Sequence, residues 1–311
     1  MPTNLLAAGL HRDLDSHVMR PQLVLLALAA ACASTPPRDA LAVLAQSEGE
    51  LGNARFAEAL TMLSSIDEDT YVGEDLERYK LAKARAKFGS GDPWGAFTVL
   101  RRYLEDHPLT SHVRAIEDLT FDIGKTLIAS PRAFWILWSD PDDGAYVLTH
   151  FVRRFPTSEH AADAYHLLGE LEFKRGNWTE AQQQFRQITM FHDRSAWASK
   201  ALFRDAIAGF NALAGPDYDL ASMERVRREL QSFILHEEEN AAFRQEAETA
   251  LATTREWLAR KHVDIADFYA TVDNAAGHRR HLELAASGFA GTVAGEEARR
   301  RLAVVPGVEN L

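Results

Sequence analysis

Cysteine is almost absent from this sequence, since Cys32 is the only one in 311 residues. A single cysteine cannot form a disulfide within the chain, so a disulfide framework is excluded. Glycine and proline are also few, at 18 and 11 residues, which excludes collagen-like and low-complexity chains. The chain is 46% hydrophobic and 25% charged, which is typical of a globular protein.

Basic residues are in deficit. The 45 aspartates and glutamates outnumber the 34 lysines and arginines, which gives a net charge of −11. A nucleic-acid-binding protein needs a basic surface to displace counterions from phosphates. We therefore expect no nucleic-acid partner.

Sequence signatures of catalysis are missing as well. The sequence contains no G-x-S-x-G, no HExxH and no phosphate loop of the form GxxxxGK followed by Ser or Thr. The 12 histidines are scattered, and no two of them have the i, i+4 spacing of a helical metal site together with a third metal ligand nearby in the sequence. We therefore expect no enzyme activity, no metal site and no cofactor apart from a covalent lipid.

The N-terminal segment has the pattern of a secretory signal. Arg20 precedes an apolar run at 23–31 that ends in small residues and is too short to span a bilayer. Cys32 follows directly, and this arrangement resembles the bacterial lipobox, where the signal is cleaved and the cysteine is lipidated. We expect a signal peptide over 1–31, with Met19 as the better start, and a lipidated linker over 32–37. The alternative is a simple cleaved signal in which Cys32 is incidental.

Helical patterning dominates from Pro36 to Ala303, and no convincing period-2 strand occurs there. The clearest unit spans residues 162–195 and resembles the tetratricopeptide repeat (TPR), a helix–turn–helix of about 34 residues. The residues that carry the pattern are Tyr165, Leu168, Gly169, Gly176, Trp178, Ala181 and Phe185. In such a unit Gly169 and Ala181 lie where the two helices cross closely, and the larger side chains surround that crossing.

Weaker copies of the unit flank it on the N-terminal side. They include markers at Phe56, Gly91 and Gly144, and prolines at 108 and 156 that end second helices. These two prolines are 48 residues apart, 14 more than one period of about 34 allows. The sequence predicts an all-α TPR superhelix of about five helix–turn–helix units over 38–305, with an irregular insertion near 126–143 and a tail over 306–311. Because one unit cannot bury its apolar face alone, the units should stack.

The chain resembles the BamD family, the lipoproteins of the outer-membrane β-barrel assembly machinery. The resemblance rests on the lipobox cysteine before about five repeats, on the Phe-Pro-Thr-Ser-Glu step at 155–159, and on the C-terminal stretch 258–302. It implies a lipid-anchored protein on the periplasmic face of the outer membrane that scaffolds the barrel-forming subunit and presents unfolded β-barrel clients. The alternative is another TPR lipoprotein, which serves cell-wall synthesis, division or secretion-apparatus assembly.

One group of candidate binding residues is basic. Lys80, Lys83 and Lys87 fall at i, i+3 and i+7 and therefore on one face of a predicted helix. In one interpretation this face is only solvated. In the other it receives an acidic group or the C-terminal carboxylate of an extended client.

Further candidates come from the TPR register and from the predicted insertion. In TPR units the first helices line the concave face. Four residues of the unit at 162–195 should therefore project into the groove: His166, Glu170, Phe173 and Lys174. The alternative is that these are ordinary solvated positions. Two cationic residues near the C-terminus, Lys261 and Arg280, are further candidates for partner binding. Phe134, Trp135 and Trp138 belong to five consecutive large apolar residues, more than one helix face can bury, so we expect an exposed partner contact there. The alternative is that the insertion folds back and buries them.

Overall fold

The computed structural model describes residues 38–129, 141–236 and 240–304, and over these residues the chain is all-helical without a strand. The all-α class expected from the sequence is confirmed. The thirteen α-helices in these ranges are α1 (Arg38–Gly52), α2 (Phe56–Ser64), α3 (Gly73–Gly89), α4 (Pro93–Asp106), α5 (Val113–Ala129), α6 (Pro141–Arg154), α7 (Ala161–Arg175), α8 (Trp178–Phe191), α9 (Ala198–Asn211), α10 (Leu220–His236), α11 (Ala241–Thr271), α12 (Ala275–Gly288) and α13 (Val293–Leu302). A short 3₁₀-helix, Glu68–Thr70, lies between α2 and α3.

Local sequence signals explain where several helices begin and end. The side chains of Asp92, Asn274 and Thr292 each accept a hydrogen bond from a backbone N–H in the first turn of the following helix. Pro93, which lacks an N–H, occupies the start of α4, where no intrahelical donor is needed. Gly176 ends α7 in the left-handed conformation with φ of +79°, which side chains with a Cβ rarely adopt.

The helices pack as a linear series. The first ten form five consecutive pairs, α1 with α2 through α9 with α10, and α11 to α13 follow. Among the described residues, the major helix–helix contacts join helices that are one or two places apart in the chain. This arrangement is typical of stacked helical repeats, in which each unit contacts only its neighbours.

The α7–α8 pair has the close crossing that the sequence predicts. Phe185 of α8 is fully buried, and its ring lies so near Gly169 that a Cβ added there would be 2.7 Å from Cε1. Ala181 is also buried at this crossing, and Trp178 is half-buried against Phe173, whereas Leu168 is buried on the side of α7 that packs toward the preceding helices. A glycine at 169 therefore allows the two helices to approach each other.

Side-chain contacts between alternate helices repeat at one interval. Asp163, His166 and Glu170 of α7 contact Trp197, Lys200 and Arg204 of α9, respectively, and each pair is 34 residues apart. The same interval separates Glu77 from Ser111 and Asp267 from Arg301. Residues 34 positions apart, on or next to alternate helices, thus contact each other directly.

Buried apolar residues form four clusters that follow one another along the described chain, from α1–α3 through α9–α13. Each cluster is shared by adjacent helices, so every helix depends on its neighbours for burial. No helix in the described ranges has the length and apolar character required to cross a bilayer.

The ends of the predicted insertion are helical. Helix α5 continues to Ala129 and α6 begins at Pro141, so residues 126–129 and 141–143 extend the helices on either side. Phe134, Trp135 and Trp138 lie outside the described residues, as do Cys32, the predicted signal and linker, and the predicted tail over 306–311.

Candidate partner-binding surfaces

A cavity of about 580 Å³ lies between helices α1, α3 and α5, and we call it the α3 pocket. Its floor is apolar and consists of Leu51, Phe56, Leu81, Ala82, Phe88, Ala115 and Leu119. Four polar side chains complete the lining: Glu48, Arg78, Arg85 and His112. A pocket of this size with a few polar groups over an apolar floor is typical of ligand sites.

Helical spacing places the α3 residues in this pocket. Arg78, Ala82 and Arg85 follow one another at intervals of four and three, which puts all three on the same face of α3. Leu81 adds a large apolar side chain beside them and is 6% exposed. The face therefore combines two guanidinium groups with an apolar strip.

The two arginines of the α3 pocket differ in their electrostatic environment. Arg78 donates to the Glu48 carboxylate at 2.6 Å and to Asp75 at 3.1 Å. The hydrogen bond with Glu48, together with both nearby carboxylates, raises the pKa of Arg78. Arg85 is exposed and makes no ion pair within the described part of the chain. Its guanidinium is therefore the one on this face that can accept an external anion.

His112 is held at the other side of the pocket by a buried carboxylate. Glu77 is 6% exposed and accepts from the His112 backbone N–H at 2.9 Å and from the Ser111 hydroxyl at 2.9 Å. Burial alone would raise the pKa of Glu77, but these donors and the His112 side chain lower it below its ordinary value. The charged Glu77 thus fixes the start of α5 against α3.

The three lysines expected to bind partners pair with carboxylates of this chain. Lys80 and Lys83 both contact Glu68 of the 3₁₀-helix, and Lys83 also donates to the Tyr79 hydroxyl at 3.0 Å. Lys87 pairs with Asp92, the N-cap of α4, at 2.7 Å. All three lysines lie on α3, as their spacing predicts, but helical spacing cannot reveal their carboxylate partners. The sequence signal for the face of α3 that lines the pocket is the i, i+7 spacing of Arg78 and Arg85.

Three of the four residues proposed on α7 contribute to the contact between α7 and α9. His166 is 6% exposed, and its ring stacks on Trp197 with centroids 3.7 Å apart. Burial, and then the charge of Lys200, lower the pKa of His166 to about 4. The imidazole is therefore neutral near pH 7.

Glu170 and Phe173 continue this contact along α7. Glu170 accepts from Arg204 at 2.9 Å and pairs with Lys200 at 3.2 Å. The Arg204 guanidinium lies over the Phe173 ring, 4.4 Å from its centroid. Lys174, in contrast, is exposed. Of the four α7 candidates, three stabilise the α7–α9 contact and one faces solvent.

The two C-terminal candidates lie apart from the α3 pocket. Lys261 on α11 donates to the backbone carbonyl of Asp217 at 3.1 Å, which ties α11 to the loop before α10. Arg280 on α12 is exposed. Burial, and then the Arg280 charge, lower the pKa of the neighbouring His281.

A second cavity, of about 510 Å³, lies between α9 and α11. Ile207, Phe210 and Ala250 form its apolar part, and Asn211, Gln245, Glu246, Thr249 and Thr253 provide polar groups. Glu246 is the only charged residue in this lining, so the cavity suits neutral or cationic groups better than a carboxylate.

No protein-family model matches this chain, and no curated protein matches it.

Proposed function

We propose that this protein is a lipid-anchored scaffold of the BamD type, a TPR superhelix on the periplasmic face of the outer membrane that holds protein partners and takes part in β-barrel assembly. Its work is binding and not catalysis. The α3 pocket receives an extended partner segment through one apolar side chain and one carboxylate. The observation that carries this proposal is Arg85, an exposed guanidinium beside the apolar floor of that pocket and without an ion pair in the described residues.

The chemistry of the pocket supports a ligand that is partly apolar and partly anionic. A planar guanidinium can bind a carboxylate through two parallel hydrogen bonds, which fixes the orientation of the ligand. The floor beneath it offers space for an aliphatic or aromatic side chain. Arg78 cannot serve equally, because Glu48 and Asp75 already occupy its donors.

The repeat character supports a scaffold. Side-chain contacts at an interval of 34 residues and pairwise helix packing are both expected of TPR units. Stacked repeats present a long binding surface instead of one enclosed site. The lipid expected on Cys32 would hold this surface at the membrane, and stable anchoring requires the several acyl chains that lipoproteins carry.

A peptide titration tests the pocket. The probe is a fluorescent, extended peptide that ends in an aromatic residue with a free carboxylate, and binding to the purified chain is followed by anisotropy. We expect Arg85→Ala to weaken binding roughly two- to fivefold, because an exposed ion pair contributes modestly. Arg228→Ala, which removes an exposed arginine from α10, is the matched control and should leave the affinity unchanged. Equal affinity of the C-terminally amidated peptide would contradict the carboxylate contact.

The cellular role is tested by co-purification from membranes. Recovery of a large β-barrel subunit with the wild-type chain supports the BamD-type role. Recovery of cell-wall, division or secretion-apparatus components without a β-barrel partner would instead support the other class of TPR lipoprotein. Loss of recovery in Arg85→Ala, with retention in Arg228→Ala, would place the partner contact at the α3 pocket.

A further inference from the structure

Three potential metal ligands, one from α5 and two from the turn before α7, lie together at the α5–α7 contact. They are Asp118 of α5 and the consecutive residues Glu159 and His160 immediately before α7, and one ligand atom from each lies within 4.8 Å of the others. The His160 Nε2 is 3.2 Å from an Asp118 carboxylate oxygen. Within 38–129, 141–236 and 240–304 this is the only such group of three.

The imidazole of His160 is already oriented. Its ring stacks on Phe121, one turn beyond Asp118 on the same helix, with centroids 4.6 Å apart and planes only 2° from parallel. Phe121 is 6% exposed and therefore fixed by the core. This stacking holds Nε2 toward Asp118, so the nitrogen ligand does not have to be ordered when a metal binds.

The mixed donor set selects the kind of metal. We propose that Asp118, Glu159 and His160 form a Zn²⁺ site that joins α5 to α7, with water completing the coordination. Zn²⁺ accepts one imidazole and two carboxylates, whereas Ca²⁺ and Mg²⁺ bind oxygen ligands almost exclusively. Tetrahedral bonds of about 2.1 Å need ligand atoms roughly 3.4 Å apart. The Glu159 side chain is exposed and that of Asp118 is half-exposed, so both carboxylates have room to rotate toward that spacing.

Nearby positive charges set the strength of the site. Arg114 donates to Glu159 at 2.6 Å and competes with a metal for that carboxylate. The Lys125 Nζ lies 5.9 Å from the centroid of the Phe121 ring, and the N-terminus of α7, the positive end of its dipole, lies next to His160. Both positive charges disfavour a bound cation. We therefore expect a dissociation constant in the micromolar range and not the tighter binding of a buried structural zinc site.

Binding would tie together two helices on either side of α6. Asp118 and His160 are 42 residues apart, so the two ligands are not related by the i, i+4 spacing of a single helix. A metal bound there would stabilise the α5–α7 contact and stiffen the repeats on either side of residues 130–140. The inference stands apart from the proposed function, because none of its three ligands lines the α3 pocket.

Calorimetric titration of ZnCl₂ into the purified full chain tests the site. We expect saturable binding near one equivalent, and Asp118→Asn and His160→Gln should each weaken it by at least tenfold. Asp118→Asn keeps the shape of the side chain, so it remains informative if His160→Gln does not fold. The matched controls His192→Gln and Asp264→Asn should bind Zn²⁺ like the wild type.

A second variant separates a metal site from a simple ion pair. Arg114→Gln releases Glu159 and should tighten Zn²⁺ binding several-fold, and Zn²⁺ should raise the Tm of the wild type but not of Asp118→Asn. MgCl₂ at the same concentrations should leave the Tm unchanged. No saturable Zn²⁺ binding, or equal affinity in the wild type and Asp118→Asn, would overturn the inference.

Discussion

A single missing Cβ allows α7 and α8 to approach each other. Phe185 is fully buried, and a methyl group at position 169 would be 2.7 Å from Cε1 and 2.8 Å from Cζ of its ring. Such a ring cannot move aside without disturbing the residues that enclose it, because protein interiors are close-packed. Residue 169 is therefore the position in this pair where side-chain volume matters most.

Gly169→Leu should destabilise the protein by about 1–3 kcal/mol or more, because the added atoms overpack the crossing. Gly169→Ala should also be unfavourable, although alanine favours a helix over glycine by about 1 kcal/mol. The control is Lys174→Ala, an exposed change on the same helix that should alter stability by less than about 0.5 kcal/mol. Urea unfolding measures all three. A loss in Lys174→Ala as large as in Gly169→Leu would mean that the assignment of this crossing is wrong.

The buried His166 should make stability depend on pH. Its pKa is about 4 in the folded chain, against an ordinary value of 6.5, because burial and the Lys200 charge disfavour the imidazolium. Below pH 6.5 the unfolded chain binds a proton that the folded chain does not, so stability falls as the pH drops toward 4. The shift corresponds to a loss of up to about 3 kcal/mol.

His166→Gln removes this titration. We expect the variant to lose stability less steeply than the wild type between pH 6.5 and 4, although it forfeits the stacking on Trp197 at every pH. Urea midpoints measured across this range give the two slopes. His192→Gln, at the end of α8, is the control and should retain the wild-type slope. Identical slopes for the wild type and His166→Gln would rule out His166 as the source of the acid sensitivity.

At the level of whole helices, long-range carboxylates hold helix starts in place. Glu256 on α11 accepts from the backbone N–H groups of Val293 at 2.7 Å and Ala294 at 3.0 Å, at the start of α13. These N–H groups have no acceptor within their own helix, and the negative charge also interacts favourably with the helix dipole. Together with the ion pairs Asp267–Arg301 and Arg260–Glu297, this contact attaches the short helix α13 to α11.

Glu256→Ala should destabilise the chain by about 1–2 kcal/mol, as expected for loss of a charged helix cap. The loss should be concentrated in α13, where amide hydrogen exchange over residues 293–302 should accelerate more than over α7. Glu248→Ala, which removes an exposed carboxylate from the same α11 helix, is the matched control and should leave α13 protection unchanged. Unchanged exchange in α13 of Glu256→Ala would contradict the capping role.

For the molecule as a whole, the main property to test is attachment to the membrane. The described helices include none that could cross a bilayer, and the sequence places a lipobox-like cysteine directly before them. We expect cleavage before Cys32 and acylation of its sulfur and amine. Cys32→Ala should leave the thermal melt unchanged and release the protein from membranes.

Mass spectrometry of the mature chain and membrane fractionation check this expectation. The wild type should carry the mass of a diacylglyceryl group and an amide-linked acyl chain on residue 32 and should sediment with membranes. An unmodified N-terminus beyond residue 32, or an uncleaved signal, would contradict the lipid anchor. The Arg228→Ala variant serves as a control, since it should be processed and sediment as the wild type does.

Much of the helical framework was predictable from residue spacing. The pattern at 162–195 predicted the two helices α7 and α8, their turn at Gly176 and the tight crossing at Gly169, and the structure has all four. Such features can be predicted from sequence because a helix repeats every 3.6 residues and its start and stop signals lie within a few residues of each end. The all-α class follows from the same information.

Charge pairing and burial across the helix stack could be decided only by the tertiary structure. Helical spacing placed Lys80 and Lys83 on one face but gave no sign that both pair with Glu68, or that Arg85 makes no ion pair with any residue that the structure describes. Nor could it show that Trp197, 31 residues beyond His166, buries that histidine, because the α7 pattern ends long before α9 begins. The α3 pocket and the group of Asp118 with His160 likewise depend on helices that meet only after the chain has turned back. Periodicity along one helix specifies its faces, whereas the neighbouring helices determine which side chains on those faces remain free to bind.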